Sequence, residues 1–377
     1  MRSLPVYLLS IALCIALLSC DGRREEVDDA ADLAAVEKDS TEQADAHAAS
    51  QAQSPVKPRV VTDTSLYDTD DPAIWVNPDD HSKSLILGTD KDSIGALLVY
   101  DLNGKLLMDK CVPNLRRPNN VDVEYGMKLG GKIVDIAVLT ERLKNRIRIY
   151  SVPDMKAIDG GGIEVFAGDE QQAPMGVSLY KRELDGQIFA IVGRKDGPSG
   201  QYLWQYALND NGKGQVQTSK VRAFGAFSGK HEIEAIAVDD HLGFVYYSDE
   251  GHGIRKYYAD PAMGDEELAL FGTDGFTEDH EGISIYNLTD DTGYILVSDQ
   301  QANSFRVFPR EGAPGNPNDH PLLDVIDVST NESDGSETSS VNFGPAYPHG
   351  IFVAMSDNRT FQIYAWEDIA RGKLKMR

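Results

Sequence analysis

The sequence predicts an all-β protein whose folded part is a single domain, a six-bladed β-propeller. Residues 63–377 show no convincing long helix, and short runs rich in Val, Ile and Tyr alternate there with turn signals such as Asn103-Gly104. Two motifs each recur six times at intervals of roughly fifty residues, the length of a blade built from several strands. A two-domain β-sandwich protein could share such turns, but the two motifs alternate in a constant order, which favours the propeller.

The N-terminal residues 1–19 are predicted to be a signal peptide. Arg2 precedes a mostly apolar run from Val6 to Leu18, and Leu17-Leu18-Ser19 before Cys20 has the form of a bacterial lipobox. A lipidated Cys20 would anchor the exported protein to a membrane of the cell envelope without spanning it. The alternatives are an ordinary signal peptide, which leads to secretion, and an uncleaved anchor.

Residues 20–62 are predicted to be a flexible acidic tether, because they contain no aromatic residue and are rich in Ala, Glu, Asp, Gln and Ser. The propeller would then occupy residues 63–377, and we expect it to be a monomer. The chain has 60 acidic and 36 basic residues and a net charge of −24, which argues against nucleic acid as a partner because its phosphates would be repelled.

The first repeated motif is a residue at the mouth of a strand, followed by an alternating apolar run. Equivalent positions of successive blades surround the central channel of a propeller, so we call these positions the mouth ring. The mouth ring consists of Asp71, Asn119, Met175, Glu234, Glu281 and Asp334. Its carboxylates are expected to meet at one end of the channel, whereas Met175 is expected to pack.

The second repeated motif is an apolar strand that ends in a polar pair. The last residues of these pairs form the pair ring, which consists of Lys91, Arg142, Lys195, Glu250, Gln300 and Asn358. Blades one to three contribute cations, and blades four to six contribute a carboxylate and two amides. Taken singly, each residue would be a solvated charge or a turn former, and only the shared position indicates a function.

The two rings together predict metal-assisted hydrolysis of a phosphate ester. Oxygen donors without Cys or paired His suit Ca²⁺, and crowded carboxylates without a cation would raise one another's pKa. Lys91, Arg142 and Lys195 facing such ions would bind phosphate groups. The chain has no G-x-S-x-G, P-loop or H-E-x-x-H motif, so we expect water to attack phosphorus, with the ions and the cationic side chains stabilising the charge.

Six stretches carry a resemblance to a known family: Asp70–Trp75, Asn119–Asp122, Lys220–Phe224, Glu281-Gly282, Gly344–Pro348 and Gly350–Ala354. Together they resemble the β-propeller phytases, calcium-dependent phosphatases, and the resemblance spans about Thr62 to Ala370. It implies release of phosphate from myo-inositol hexakisphosphate, or phytate. It also implies that several Ca²⁺ ions are held by Asp71, Glu234, Glu250, Glu281, Gln300 and Asp334.

The same resemblance makes Lys91, Arg142 and Lys195 the residues that contact substrate phosphate, with Asn119 beside them. Glu234 joins the three cations as a catalytic residue. Two other functions stay open. One is a calcium-dependent propeller lactonase or sugar-ester hydrolase, although a neutral lactone does not need three cations. The other is a surface lipoprotein that binds phosphorylated ligands without turnover.

Overall fold

The structure, a computed structural model, describes residues 54–377, and nearly all of its regular elements are β-strands. The predicted signal peptide, its lipobox and residues 20–53 of the predicted tether lie outside this part of the chain. Among the described residues, no helix is long and apolar enough to cross a membrane.

The described strands form six antiparallel sheets, which we number as blades one to six. The short strand β1 (Val60–Val61) comes first in the chain and belongs to blade six. Blade one contains β2 (Thr69–Trp75), β3 (Leu85–Asp90), β4 (Gly95–Asp101) and β5 (Val112–Leu115). Blade two contains β6 (Pro118–Leu129), β7 (Lys132–Glu141), β8 (Arg146–Val152), β9 (Lys156–Ala157) and β10 (Ile163–Glu164). Blade three contains β11 (Pro174–Lys181), β12 (Ile188–Arg194), β13 (Leu203–Asp210) and β14 (Val216–Phe224).

The three blades of the second half of the propeller have four strands each. Blade four contains β15 (Ile236–Asp239), β16 (Phe244–Asp249), β17 (Gly253–Tyr258) and β18 (Ala269–Phe271). Blade five contains β19 (His280–Asn287), β20 (Gly293–Asp299), β21 (Ser304–Pro309) and β22 (Asp324–Asp327). Blade six contains β23 (Ser336–Ser339), β24 (Ile351–Ser356), β25 (Thr360–Ala365) and β1, and a short helix, Trp366–Ala370, follows it.

The first strand of each blade lies innermost, and these six strands form a closed ring. The inner strands β2, β6, β11, β15, β19 and β23 each contact the next one, and β23 contacts β2. This arrangement confirms the predicted fold, an all-β six-bladed propeller in one domain. It also places the residues at the start of each inner strand around one end of the channel.

Strand β1 closes blade six from the N-terminal side of the chain. Val60 and Val61 pair with Ile363 and Gln362 of β25, so both ends of the described chain share one sheet. The propeller therefore begins before residue 63, where composition places the end of the tether. A two-residue strand among polar residues has no detectable period, so the pairing of β1 cannot be predicted from its own sequence.

The hydrophobic core is distributed over the six interfaces between neighbouring blades. Side chains alternate between the two faces of a strand, so a single strand serves two interfaces. In β3, Leu85 and Leu87 pack towards blade two, whereas Ile86 packs towards blade six. Burial on both faces explains the nearly continuous apolar runs of the second strands. Most of the buried apolar residues therefore lie between the blades.

Candidate active site

The antiparallel register of each blade brings the mouth ring and the pair ring together. The start of an inner strand pairs with the end of the second strand, as in the partners Thr69 and Asp90, Pro118 and Glu141, and His280 and Asp299. Lys91, Arg142, Lys195, Glu250 and Gln300 each follow directly on such a second strand. Residues of the two motifs, which are distant in the sequence, thus lie close together at one end of the channel.

A β-bulge interrupts the start of the inner strand in four blades of the described chain, those that begin with β2, β6, β11 and β19. Bulges place an extra residue in one strand and re-aim the side chains there. In β2 the irregularity lies between Thr69 and Pro72, and it contains both Asp70 and Asp71. The two neighbouring carboxylates consequently point to different surroundings.

Asp70 belongs to a continuous polar network, which we call the mouth cluster: Asp70, Lys91, Asn119, Glu234, Gln300 and Asp334. The Lys91 ammonium forms ion pairs with Asp70 and with Asp334 Oδ2, the latter at 3.2 Å. Asn119 Nδ2 donates to Asp70 Oδ2 at 3.2 Å and to Glu234 Oε1 at 2.7 Å. Gln300 donates to Asp334 Oδ1. Residues from five blades are thereby joined through direct contacts.

The charge of Lys91 is stabilised by this network. Burial of the ammonium opposes its charge, but the carboxylates of Asp70, Glu234 and Asp334 outweigh that effect and raise its pKa. Lys91 is therefore a permanent cation at the mouth. Its charge is balanced by the carboxylates that it contacts, those of Asp70 and Asp334.

Arg142 is a buried cation that forms no direct ion pair with a carboxylate of the described chain. It is 9 % exposed, and its guanidinium contacts the sulfur of Met175. Its Nε has no hydrogen-bond partner among residues 54–377. Burial lowers its pKa, and only more distant carboxylates such as Glu234 oppose the shift. A desolvated guanidinium with an unused donor is suited to an anion from solution.

Lys195 lines a cleft whose lining residues include neither Lys91 nor Arg142. Its ammonium contacts both carboxylate oxygens of Glu232 at 3.0 Å, and its side chain is 53 % exposed. The cleft is lined by Lys195, Asp196, Phe227, Gly229, His231, Glu232, Glu250 and Asp279 and has a volume of about 490 Å³. The third predicted phosphate-binding cation therefore faces its own pocket.

The carboxylates of blades four to six are crowded and buried. Burial, followed by repulsion from neighbouring carboxylates, raises the pKa of Glu234 to about 8 and that of Glu250 to about 8. The pKa of Glu281 is raised for the same reasons, and burial raises that of Asp334 to about 7 although Lys91 opposes the shift. Such shifts follow from burial and from repulsion between neighbouring carboxylates, which a divalent cation would relieve.

Two oxygens of this group have no hydrogen-bond partner within the described chain, Glu250 Oε1 and Glu281 Oε2. Both residues are buried, at 5 % and 7 % exposure. Buried polar atoms are normally paired, so each unpaired oxygen requires an explanation. Carboxylate and amide oxygens that converge without partners are the donor set that Ca²⁺ takes, and the residues present therefore fit that ion.

Asp71 and Asn358 are placed differently from the other ring residues. Asp71 Oδ2 accepts from the Val121 amide at 3.1 Å, and Asp71 lines a cavity of about 360 Å³ further along the channel. Burial raises its pKa, and Asp70 adds to the shift. Asn358 is exposed and accepts from the Thr360 hydroxyl in a turn, as a turn-forming Asn does.

Four residues at this end of the propeller are missed by the sequence analysis: Asp70, His231, Asp279 and Gln301. Asp70 directly precedes Asp71, and only the bulge decides which of the two faces the mouth. His231 and Asp279 lie three and two residues before the ring positions Glu234 and Glu281, where no repeat marks them. Their proximity to Glu250 depends on loop conformation, which sequence periodicity does not predict.

Comparison with known proteins identifies the family of this chain. The model of the family described as Phytase matches residues 27–374. A curated 3-phytase from Bacillus subtilis (strain 168) is 33% identical over 324 residues, which cover 80% of this chain and 80% of the relative. The match includes nearly all of the propeller and every residue of the two rings. The chain therefore belongs to the phytase family.

Proposed function

We propose that this protein is a calcium-dependent phytase, which releases inorganic phosphate from phytate by attack of water at the mouth cluster. Membership of the phytase family and the activity named for the Bacillus subtilis relative support phytate as the substrate. The observation that carries the proposal for the site is Arg142, a buried cation with an unused donor beside a group of crowded carboxylates. This arrangement suits a polyanion and divalent cations together.

The residues proposed to hold calcium are the oxygen donors at the mouth: Asp70, Glu234, Glu250, Glu281, Gln300 and Asp334. Asp71, which follows Asp70 and lines the channel cavity, is also among the residues proposed to hold calcium. When bound, the ions would neutralise the carboxylates and the phosphate charge and would lower the pKa of water. The raised pKa values of Glu234 and Glu250 and the unpaired oxygens of Glu250 and Glu281 support this assignment.

Substrate recognition is assigned to the cations of blades one to three. Lys91 and Arg142 would donate to oxygens of the phosphate that is cleaved. Lys195, in the adjoining cleft, would bind a second phosphate of the same substrate, which requires a ligand with several phosphate groups. Asn119 holds Asp70 and Glu234 in place through one amide nitrogen. Binding of a second phosphate by Lys195 would favour phytate over a simple monoester.

Glu234 is proposed to accept the proton of the attacking water. Its Oε1 accepts a hydrogen bond from Asn119, so Oε2 is the atom that would accept the proton. The oxygen of water forms a bond to phosphorus, the ester P–O bond breaks, and the leaving inositol oxygen takes a proton from solvent. Lys91 and Arg142 stabilise the charge on the phosphate oxygens during this step.

The experiment is a phosphate-release assay on the purified full chain. We expect phosphate release from phytate to stop with EDTA and to return with excess Ca²⁺. A panel of lactones tested in the same buffer should not be hydrolysed. Hydrolysis of lactones without phosphate release would favour the lactonase alternative. Stoichiometric binding of phytate without phosphate release would favour the binding-module alternative.

We also propose that the protein is exported as a monomer and attached to a membrane through Cys20, with the acidic residues that follow Cys20 as the tether. The support is the apolar run and the Leu17-Leu18-Ser19-Cys20 sequence. Labelling with a fatty-acid analogue in the source bacterium should mark the wild-type protein and not Cys20→Ser. Equal labelling of both would contradict the lipid anchor.

A further inference from the structure

The cleft beside Lys195 contains a group of metal-binding side chains that includes a histidine. His231, Glu250 and Asp279 each offer one donor atom, and these atoms lie within 4.8 Å of one another. His231 precedes blade four, Glu250 follows β16, and Asp279 directly precedes β19. Three separate segments of blades four and five therefore converge on one point.

The Asp279 carboxylate is orientated by neighbouring side chains. Gln301 Nε2 donates to Asp279 Oδ2 at 2.9 Å, and the Asp279 amide donates to Gln301 Oε1 at 2.9 Å. His231 Nδ1 contacts Asp279 Oδ1. A ligand orientated by such outer partners is characteristic of metal sites.

Glu250 provides the second, independent indication of a ligand. It is 5 % exposed, and its Oε1 has no hydrogen-bond partner among residues 54–377. Its other oxygen accepts only the Glu232 amide, at 3.3 Å. A buried carboxylate oxygen without a partner, next to an imidazole and a second carboxylate, is an available donor for a cation.

The donor chemistry distinguishes this group from the all-oxygen mouth carboxylates. Calcium takes oxygen ligands, whereas Zn²⁺ and related first-row ions take imidazole nitrogen together with carboxylate oxygen. We propose that His231, Glu250 and Asp279 form a subsite for a divalent transition-metal ion such as Zn²⁺. The subsite shares Glu250 with the proposed calcium set. Occupation by Zn²⁺ should therefore raise the Ca²⁺ concentration that phosphate release requires.

Zinc titration calorimetry on the full chain, stripped with EDTA and desalted, tests the subsite without any substrate. We expect wild type to bind Zn²⁺, and His231→Gln to bind it more than about tenfold more weakly, since even the loss of an outer partner of a metal ligand costs roughly 10–100-fold. Asp279→Asn should weaken binding similarly. Zinc affinity equal to wild type in both variants would overturn the proposal.

His241→Gln is the matched control. His241 has a similar exposure and also contacts two carboxylates, Glu183 at 2.9 Å and Asp291 at 3.7 Å, but both of those are largely exposed. This variant should bind Zn²⁺ like wild type, and a loss equal to that of His231→Gln would overturn the assignment. Phosphate release with Ca²⁺ alone, measured on the same preparations, tests the proposed function separately from zinc affinity.

Discussion

At the scale of single residues, Lys91 connects the cationic and acidic parts of the mouth. Its ammonium contacts Asp70 and Asp334, which come from opposite ends of the described chain and meet where blades one and six adjoin. Removing one partner of a buried ion pair leaves the other charge uncompensated. Lys91 should therefore matter both for the stability of the ion-free protein and for substrate binding.

Lys91→Ala should separate these two roles. In EDTA it should lower the free energy of unfolding, because loss of one partner of a buried pair costs about 3–5 kcal/mol. Calcium should restore stability but not phosphate release. Denaturant unfolding with EDTA or Ca²⁺, together with the phosphate assay, checks both statements. Lys83→Ala is the control, since Lys83 is exposed and forms an ion pair with the exposed side chain of Asp80. Turnover by Lys91→Ala at the wild-type rate would contradict the assignment.

Asp70 and Asp71 provide a comparison within one motif. Asp70 contacts Lys91 and Asn119, whereas Asp71 accepts a hydrogen bond from the Val121 amide and lines the channel cavity. Asp70→Asn should therefore reduce calcium-dependent phosphate release more strongly than Asp71→Asn. The measurement is kcat/KM for phytate as a function of Ca²⁺ concentration. A larger loss in Asp71→Asn would show that Asp71 is the main donor.

At the scale of elements, the second strands were predictable because their apolar runs are buried on both faces. Leu85, Ile86 and Leu87 illustrate this pattern, and the polar residue that follows each run falls at the same end of the propeller. The bulge in β2 was not predictable, because it depends on register between strands. For the same reason the contacts of His231 with Asp279 and of Lys195 with Glu232 could not be predicted from spacing.

The closing strand β1 also depends on tertiary pairing rather than on its own sequence. Val60 and Val61 supply the outer strand of blade six, and the Thr62 amide donates to the Phe361 carbonyl at 3.0 Å. Without β1, strand β25 becomes an open edge.

Deletion of residues 1–62 should lower Tm clearly relative to deletion of residues 1–53, because only the longer deletion removes strand pairing in blade six. Calorimetry of the two truncated proteins checks this. Equal Tm values would show that closure of blade six contributes nothing to stability.

At the scale of the whole molecule, the channel contains buried carboxylates that make stability depend on pH. Glu337 lines the channel cavity, and burial followed by repulsion from Asp122 raises its pKa from 4.5 to about 8. The folded protein therefore binds this proton more tightly than the unfolded chain does. Stability is highest below the ordinary pKa and falls as the pH rises through about 8.

Glu337→Gln should remove this dependence, because the amide is neutral and has nearly the same shape. In EDTA, Tm should rise relative to wild type at about pH 9 and stay unchanged near pH 4, where Glu337 is protonated in both states. Thermal unfolding across this range is the measurement. A variant that is less stable than wild type at alkaline pH would contradict the predicted protonation.

The phosphate assay on Arg142→Ala tests the central claim most directly, that the cations and carboxylates of this ring act together on phytate. Arg142 forms no direct ion pair with a described carboxylate, so its removal breaks no ion pair among residues 54–377. At saturating Ca²⁺ we predict a loss of phosphate release of about 100-fold or more, the usual cost of one charge-stabilising donor, in a protein that still unfolds cooperatively. Release at the wild-type rate would contradict the account.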